Sequence, residues 1–260
     1  MVMLTSIKNP RIQQIRKLQG SARARRSEQL FVVEGIRLVE EALGSGRNPE
    51  RVLYTEDLPA RGREILTRFA AKGVEVTPLA PDVMQAASDT QTPQGILAVM
   101  PWLDLPLPVS LDFVVVIDGL RDPGNLGTIL RTALAAGVQA VFLLPGCVDP
   151  YSPKVVRAAM GAHFKLALST LEWDHIRALF EAQGLTPFLA DSSGGQPHHQ
   201  ADLKIPLALI IGGEAAGAGR EAQQLAVQQV HIPMTGAAES LNAAVAASVL
   251  MFEVSRQRTS

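Results

Sequence analysis

Apolar residues fall at helical spacing in PRIQQIRKL, where Ile12, Ile15 and Leu18 share one side and the basic residues turn away from it. That spacing predicts an amphipathic helix with a cationic outer face. After SARARRSE, which reads as a turn, the period shortens: LFVVE, RVLYTE, VEVTPL and GILAVM are strand-like runs. They alternate with helical patterns at GIRLVEEALGSG, ARGREILTRFAAKG and PDVMQAASD, so residues 1–100 predict a small α/β domain on a parallel or mixed sheet. The pattern then stops. PWLDLPLPVSLD holds Pro101, Pro106 and Pro108 and shows neither period. Proline donates no backbone hydrogen bond and keeps the preceding residue extended, which predicts a stiff linker over residues 101–112.

From residue 113 to residue 260 the β/α alternation resumes as a second α/β domain. FVVVID, QAVFLL, TPFLA, LALII and QQVHIP are the expected strands, several of them apolar throughout as in a sheet covered on both faces. Helices are expected over Leu126–Ala136, Lys154–Ala159, Glu172–Gln183, Glu221–Val227 and Leu241 to about Arg256. The last carries two apolar stripes: Leu241, Val245, Val249 and Phe252 on one, Ala244, Ala247, Met251 and Val254 on the other. A helix apolar on two sides packs on two sides, so a second protomer is expected against one of them.

Composition adds compartment and partner. With 47% hydrophobic residues, 19% charged residues and a formal charge of -1, the whole chain has no net attraction for polyanions. Charge is nevertheless unevenly placed. No acidic residue occurs before Glu28, whereas Lys8, Arg11, Arg16, Lys17, Arg23, Arg25 and Arg26 make the amino-terminal arm basic. The single cysteine, Cys147, allows no intrachain disulfide and no Cys cluster for zinc, so a reducing, cytoplasmic setting is expected. MVMLTSIKNPR lacks the apolar core of a secretion signal, and AAVAASVLMF is too short to cross a bilayer; no membrane role is expected. Nor is a metal, since His163, His175 and His231 are dispersed and His198 and His199 lie in the polar loop DSSGGQPHHQ.

Ligands of open α/β sheets collect beyond the carboxyl ends of strands, which directs attention to three loops. DGLRDPGNLGT follows the first strand of the second domain, IGGEAAGAG follows LALII, and PMTGAAESLNAAVA follows QQVHIP. Their glycines let a ligand approach the main chain closely. GGEAAGAGR has Ala218 and Gly219 where a P-loop needs Lys and Ser/Thr, and no GxGxxG follows a strand. Nucleotide hydrolysis and nicotinamide chemistry lose their support.

Taken together and in this order, the segments NLGTILRTALAAG, LIIGGEAAGAG and IPMTGAAESLNAAVA resemble the three motifs of the SpoU, or TrmH, branch of the SPOUT methyltransferases, and YSPKVVRAAMGAHF between them resembles it too. FVVEGIRLVEEAL resembles the substrate-binding domain attached upstream in many members. The resemblance implies an α/β SPOUT domain with a carboxy-terminal trefoil knot, a homodimer formed through that domain, S-adenosylmethionine as cofactor, and methylation of RNA ribose 2′-hydroxyls. The upstream domain favours ribosomal over transfer RNA; a chain that kept the fold and binds RNA without turnover is the alternative from another class.

On the same resemblance, Arg131, Asn125, Glu214, Ser240 and Asn242 are the expected catalytic set, and Gly212, Gly213, Ile232, Pro233, Met234 and Leu241 the cofactor contacts. Family proposals make the arginine a general base. A guanidinium is a poor proton acceptor near neutrality, so binding a phosphate beside the reacting ribose is an equal alternative. Asn125 and Ser240 also suit helix caps, and Glu214 a brace for Arg131, Asn125 or backbone amides. The chain departs from the family at Ala215, where members commonly have glycine. An enzyme acting on folded RNA must hold phosphates beyond the reacting ribose, which assigns Lys8, Arg11, Arg23, Arg25 and Arg26 to RNA. Cys147 reads as a packed thiol, because ribose chemistry needs no covalent intermediate.

Overall fold

The computed structural model describes residues 3–192, 194–213, 217–237 and 240–259. Contacts divide the chain into two compact units. One runs to Leu103 and takes in Asp149–Phe164; the other joins Asp104–Val148 to the chain from Lys165 onward. Residues 149–164 thus belong with the first unit, although the linker at 101–112 leads one to expect them in the second.

In the first unit α1 (Pro10–Gly20) opens with Pro10 in its first turn and the Asn9 side chain accepting from the Arg11 amide at 2.9 Å. Ile12, Ile15 and Leu18 are fully buried, as their spacing requires. The expected turn SARARRSE is instead a helix, α2 (Ala22–Glu28), which Ser21 caps and Gln29 ends in the left-handed region at φ 55. Seven residues are too few for an apolar period to show. Strands β1 (Leu30–Glu34), β2 (Arg51–Tyr54), β3 (Glu75–Pro78) and β4 (Ile96–Pro101) form a mixed sheet ordered β1-β4-β2-β3. In it β2 and β3 are parallel and β4 is antiparallel to both neighbours. Helices α3 (Ile36–Gly44), α4 (Ala60–Ala71) and α5 (Pro81–Ala87) alternate with the strands.

The helix Pro153–Ala159, α7 in chain order, packs against β1 in this unit. Phe31 meets Tyr151 with ring centroids 4.9 Å apart, and Trp102 stacks on Tyr151 at 4.7 Å. Arg25 is 4% exposed; its Nε donates to Asp149 Oδ2 at 2.7 Å and its Nη1 to the carbonyls of Leu18 and Gln19. The assignment of Arg25 to RNA is therefore corrected: its guanidinium is consumed inside the protein, where α1, α2 and residue 149 meet.

The second unit is a seven-stranded parallel sheet ordered β7-β6-β5-β10-β8-β11-β9. Its strands are β5 (Phe113–Asp118), β6 (Ala140–Leu143), β7 (Ala167–Thr170), β8 (Thr186–Ala190), β9 (Gln196–Pro197), β10 (Leu207–Gly212) and β11 (Gln228–His231). The apolar runs became central strands because both faces are covered: Val114, Phe142, Leu189 and Ile210 are at most 1% exposed. The sequence pattern missed β7, which turns Ser169 and Thr170 to solvent, and β9, which is two residues long. Helices α6 (Pro123–Ala135), α8 (Trp173–Gln183), α9 (Arg220–Leu225) and α10 (Ala243–Thr259) complete the unit, α10 packing on α6 and β10. Registers pair Asp118 with Gly212, Ile211 with Ala190 and Ala190 with Val230, so four parallel strands end along one edge.

Candidate cofactor pocket and catalytic loops

At that edge lies a cavity of about 690 Å³, within the range of small-molecule sites. Leu189, Ile211, Val230, Ala246 and Leu250 give it an apolar floor. Of the expected cofactor contacts, Gly212, Gly213, Ile232, Met234 and Leu241 line it; Pro233 does not, though both its neighbours do. Ser240 and Asn242 from the expected catalytic set line it as well. Glu214 and Ala215 lie outside the described residues. The loop after β8, Asp191 and Ser192, also lines the cavity and was not singled out from the sequence. The signal existed: it too follows a strand whose carboxyl end meets this edge.

Close packing between loops explains two glycines. A Cβ on Gly213 would stand 2.5 Å from the Gly119 carbonyl oxygen, and one on Gly212 would overlap the Ala218 amide nitrogen. The Gly213 amide donates to the Gly217 carbonyl at 3.1 Å, closing the second loop on itself. The Asp118 carboxylate at the end of β5 accepts from the Gly219 amide at 2.7 Å, tying the first loop to the second.

Two helix starts meet beside the cavity. Asp122 caps α6 by accepting from the Asn125 amide at 2.8 Å. The Asn242 side chain does two jobs: its Oδ1 accepts from the amides of Ala244 and Val245 at 2.9 and 3.2 Å, and its Nδ2 donates to Asn125 Oδ1 at 3.0 Å. Asn242 is thus the cap of α10 and the clasp between the first and third loops. Further along, Ser248 Oγ donates to Thr132 Oγ1 at 3.2 Å and Ser255 Oγ to the Ala136 carbonyl at 2.7 Å, fixing the helices side by side.

Arg131 stands on α6 next to that packed stripe, exposed, and forms no hydrogen bond or ion pair with any described residue. It is not among the residues lining the cavity. Six residues beyond Asn125, it sits about 9 Å further along the helix axis. The geometry leaves a rigidly mounted cation outside the pocket wall, where a polyanion has access to it.

On the amino-terminal arm Lys8, Arg16, Arg23 and Arg26 are exposed. Arg11 is half-buried and ion-pairs with Glu75. The Cys147 thiol donates to the Ile117 carbonyl at 3.3 Å, and burial pushes its pKa up, away from thiolate chemistry. Among the described residues no three His, Cys, Asp or Glu side chains gather as metal ligands, and no helix is long and apolar enough to cross a membrane.

A parallel sheet with glycine loops walling a nucleoside-sized cavity defines an α/β protein of the SPOUT methyltransferase fold, preceded by an amino-terminal α/β domain. The model of the SpoU rRNA Methylase family matches residues 112–252, and that of the MRM3-like substrate binding domain matches residues 9–98. The chain belongs to the SpoU methylase family. It is 32% identical over 257 residues to the 23S rRNA (guanosine(2553)-2'-O)-methyltransferase RlmP of Bacillus subtilis, covering 98% of this chain and 99% of that protein. Identity to the 23S rRNA (uridine(2479)-2'-O)-methyltransferase of Streptomyces viridochromogenes is 33% over 270 residues, covering 97% of this chain and 92% of that one. The AdoMet-bound rRNA methyltransferase from Sinorhizobium meliloti superposes with a TM-score of 0.88 at 30% identity, over 98% of this chain and 97% of that one.

Proposed function

We propose that the protein transfers a methyl group from S-adenosylmethionine to a ribose 2′-hydroxyl of ribosomal RNA. The observation that carries this reading is that the second and third glycine loops line one cavity, with the Asn125–Asn242 clasp tying the first loop beside it and Arg131 on the clasped helix. Members of the family named as rRNA 2'-O-methyltransferases cover nearly the whole chain, which favours the same acceptor class. The cavity fits the cofactor: its floor is apolar enough for a purine, and Gly212 and Gly213 border it with main chain alone. Gly212, Gly213, Ile232, Met234 and Leu241 would hold it; bound there it supplies an electrophilic methyl group on a sulfonium.

The protein's own contribution is placement. Asn242 fixes the start of α10 and, through Asn125, the start of α6. Arg131, carried on α6, holds the phosphate beside the reacting ribose with its planar fork, and the hydroxyl proton leaves to that phosphate or to solvent. Ser240 borders the cavity. Lys8, Arg11, Arg23 and Arg26 hold more distant phosphates, Arg11 exchanging Glu75 for RNA.

A homodimer through α10 belongs to the same reading. Leu241, Val245, Val249 and Phe252 are 38%, 48%, 38% and 52% exposed in one stripe, while Ala244, Ala247, Met251 and Val254 are buried on the other. An apolar stripe of that length favours a partner surface. The trefoil knot of the family, threading the loops that wall the cavity, and a cytoplasmic setting complete the proposal.

The test is incubation with labelled cofactor and unmodified total RNA, followed by mapping of the methylated ribose. Label on one ribosomal ribose is expected, with Arg131→Lys reducing transfer at least about tenfold while cofactor affinity is kept. Binding of the cofactor with no label on any RNA would instead favour an RNA-binding factor without turnover.

A further inference from the structure

The first unit has a recess of its own. The end of α1, at Arg16, Gln19 and Gly20, borders with residues 86–89 at the end of α5 a hollow of about 190 Å³. That lies below the range of about 300–1,000 Å³ for sites that enclose a whole small molecule. A single flat group entering from a larger molecule fits it.

Both walls are fixed from behind. Arg25 donates to the Leu18 and Gln19 carbonyls at the end of α1. Gln19 Nε2 donates to the Ala87 carbonyl at 3.2 Å, joining α1 to α5. The buried carboxylate of Glu34 accepts from the Asp89 amide at 3.1 Å and from the Thr90 hydroxyl, and Arg157 pairs with Asp89 Oδ2 at 2.7 Å. A recess held in shape in this way loses little freedom when it is filled.

What these contacts leave unspent defines the occupant. Arg16 is exposed and forms no hydrogen bond or ion pair with any described residue. Asp89 Oδ1 and Gln19 Oε1 accept from none of the described residues, and Ser88 Oγ is buried without a partner among them. The occupant therefore brings an anion for Arg16 and donors for two acceptors that border the same small hollow. A nucleotide of RNA carries both. Of the four bases only guanine presents two adjacent donors, N1–H and the N2 amino group, on its Watson–Crick edge. Uracil has one donor between two acceptors, and adenine and cytosine have one amino group beside a bare ring nitrogen.

Resting on the reading of the chain as an RNA methyltransferase, we propose that this recess takes one extruded guanine of the RNA, with Asp89 and Gln19 accepting from its N1–H and N2 amino group and Arg16 holding an adjacent phosphate. The ion pair with Arg157 offsets the repulsion that a bare Asp89 carboxylate would exert on the RNA backbone. The recess makes the first unit a reader of sequence, whereas Lys8, Arg11, Arg23 and Arg26 bind phosphates of any sequence. Its residues are distinct from those that line the cofactor cavity.

The experiment is fluorescence anisotropy of the full-length protein with three short single-stranded RNAs: oligouridine, the same strand with one central guanosine, and the same strand with inosine there, which lacks the N2 amino group. Wild type should bind the guanosine strand at least about tenfold more tightly than oligouridine, with the inosine strand between them. Gly20 lines the recess and a Cβ there would meet no atom within 4 Å, so Gly20→Met plugs the hollow while every polar group stays in place. With folding verified by melting curves, Gly20→Met should abolish the guanosine preference, Asp89→Asn should reduce it, and Arg16→Gln should weaken all three strands alike. Equal wild-type affinity for the guanosine and oligouridine strands overturns the proposal without recourse to any variant. A guanosine preference that survives Gly20→Met also overturns it, placing the base elsewhere on the protein. If wild type binds no strand, the recess loses its role, and the reading of the chain as an RNA methyltransferase falls only if ribosomal RNA also stays unlabelled in the methylation assay.

Discussion

Replacing Arg25 by alanine should destabilise the first unit severely rather than weaken RNA binding by removing a surface charge. The side chain of Arg25 is 5% exposed and that of Asp149 10%, with Nη2 to Oδ2 at 2.6 Å. Truncating the arginine strands a buried carboxylate and also orphans the Leu18 and Gln19 carbonyls that it satisfies. Breaking one side of a buried ion pair costs about 3–5 kcal/mol. Against a typical total of about 5–15 kcal/mol that is about a fifth of the stability or more. The double replacement Arg25→Met with Asp149→Leu removes both charges together and should recover most of the loss. Trp102 reports on this unit, because it stacks on Tyr151 at 4.7 Å, two residues from Asp149. Urea unfolding followed by its fluorescence in a Trp173→Phe background gives the three stabilities. A loss below about 1 kcal/mol for Arg25→Ala, together with reduced RNA affinity of the folded protein, would refute the reasoning and return Arg25 to the RNA-facing side.

Three further outcomes follow from single contacts. His163 is buried, and desolvation holds its pKa down at about 4 against the usual 6.5. The imidazole must therefore stay neutral in the fold: its contribution is present above pH 6.5, is lost as pH falls toward 4, and amounts to about 3 kcal/mol in all, so urea midpoints should drop over that window and His163→Gln should flatten the drop. Asn242→Asp keeps an acceptor for the Ala244 and Val245 amides but loses the donor to Asn125, so melting temperature should hold while kcat falls at least about tenfold; Asn242→Ala should lower both, with a stability loss of about 1 kcal/mol. Phe252→Glu places a charge on the exposed stripe of α10 and should yield monomers in light scattering with little change in monomer stability; an unchanged oligomeric state would remove α10 from the interface.

Legibility in the sequence followed the physics of each element. FVVVID, LALII and TPFLA were readable because strands covered on both faces must be apolar along their whole length. The two stripes of α10 were readable because helical spacing survives even when both sides are apolar. SARARRSE was not, since α2 gains its stability from the Ser21 cap and from Arg25 reaching Asp149, a partner 124 residues away. Long-range pairing is also why the strand order of the second sheet and the membership of residues 149–164 had no local signature. At the site, the motif spelling led to Gly212, Gly213, Met234 and Leu241, which the fold gathers around one cavity. It passed over Asp191 and Ser192, which line the same cavity, because the polar loop DSSGGQPHHQ carries no motif of its own.

The ownership of residues 149–164 bears on how the chain is made. A ribosome releases the mixed sheet of the first unit long before Asp149, Tyr151 and the helix at Pro153–Ala159 emerge. Until then Arg25 has no anion and Phe31 no aromatic lid. The nascent chain must consequently run to about residue 164 of 260, with β5 and β6 already synthesised, before the last contacts of its first unit can form. Vectorial synthesis and domain order are out of step in this protein, and a stalled or truncated product ending in the linker would expose an unfinished interior.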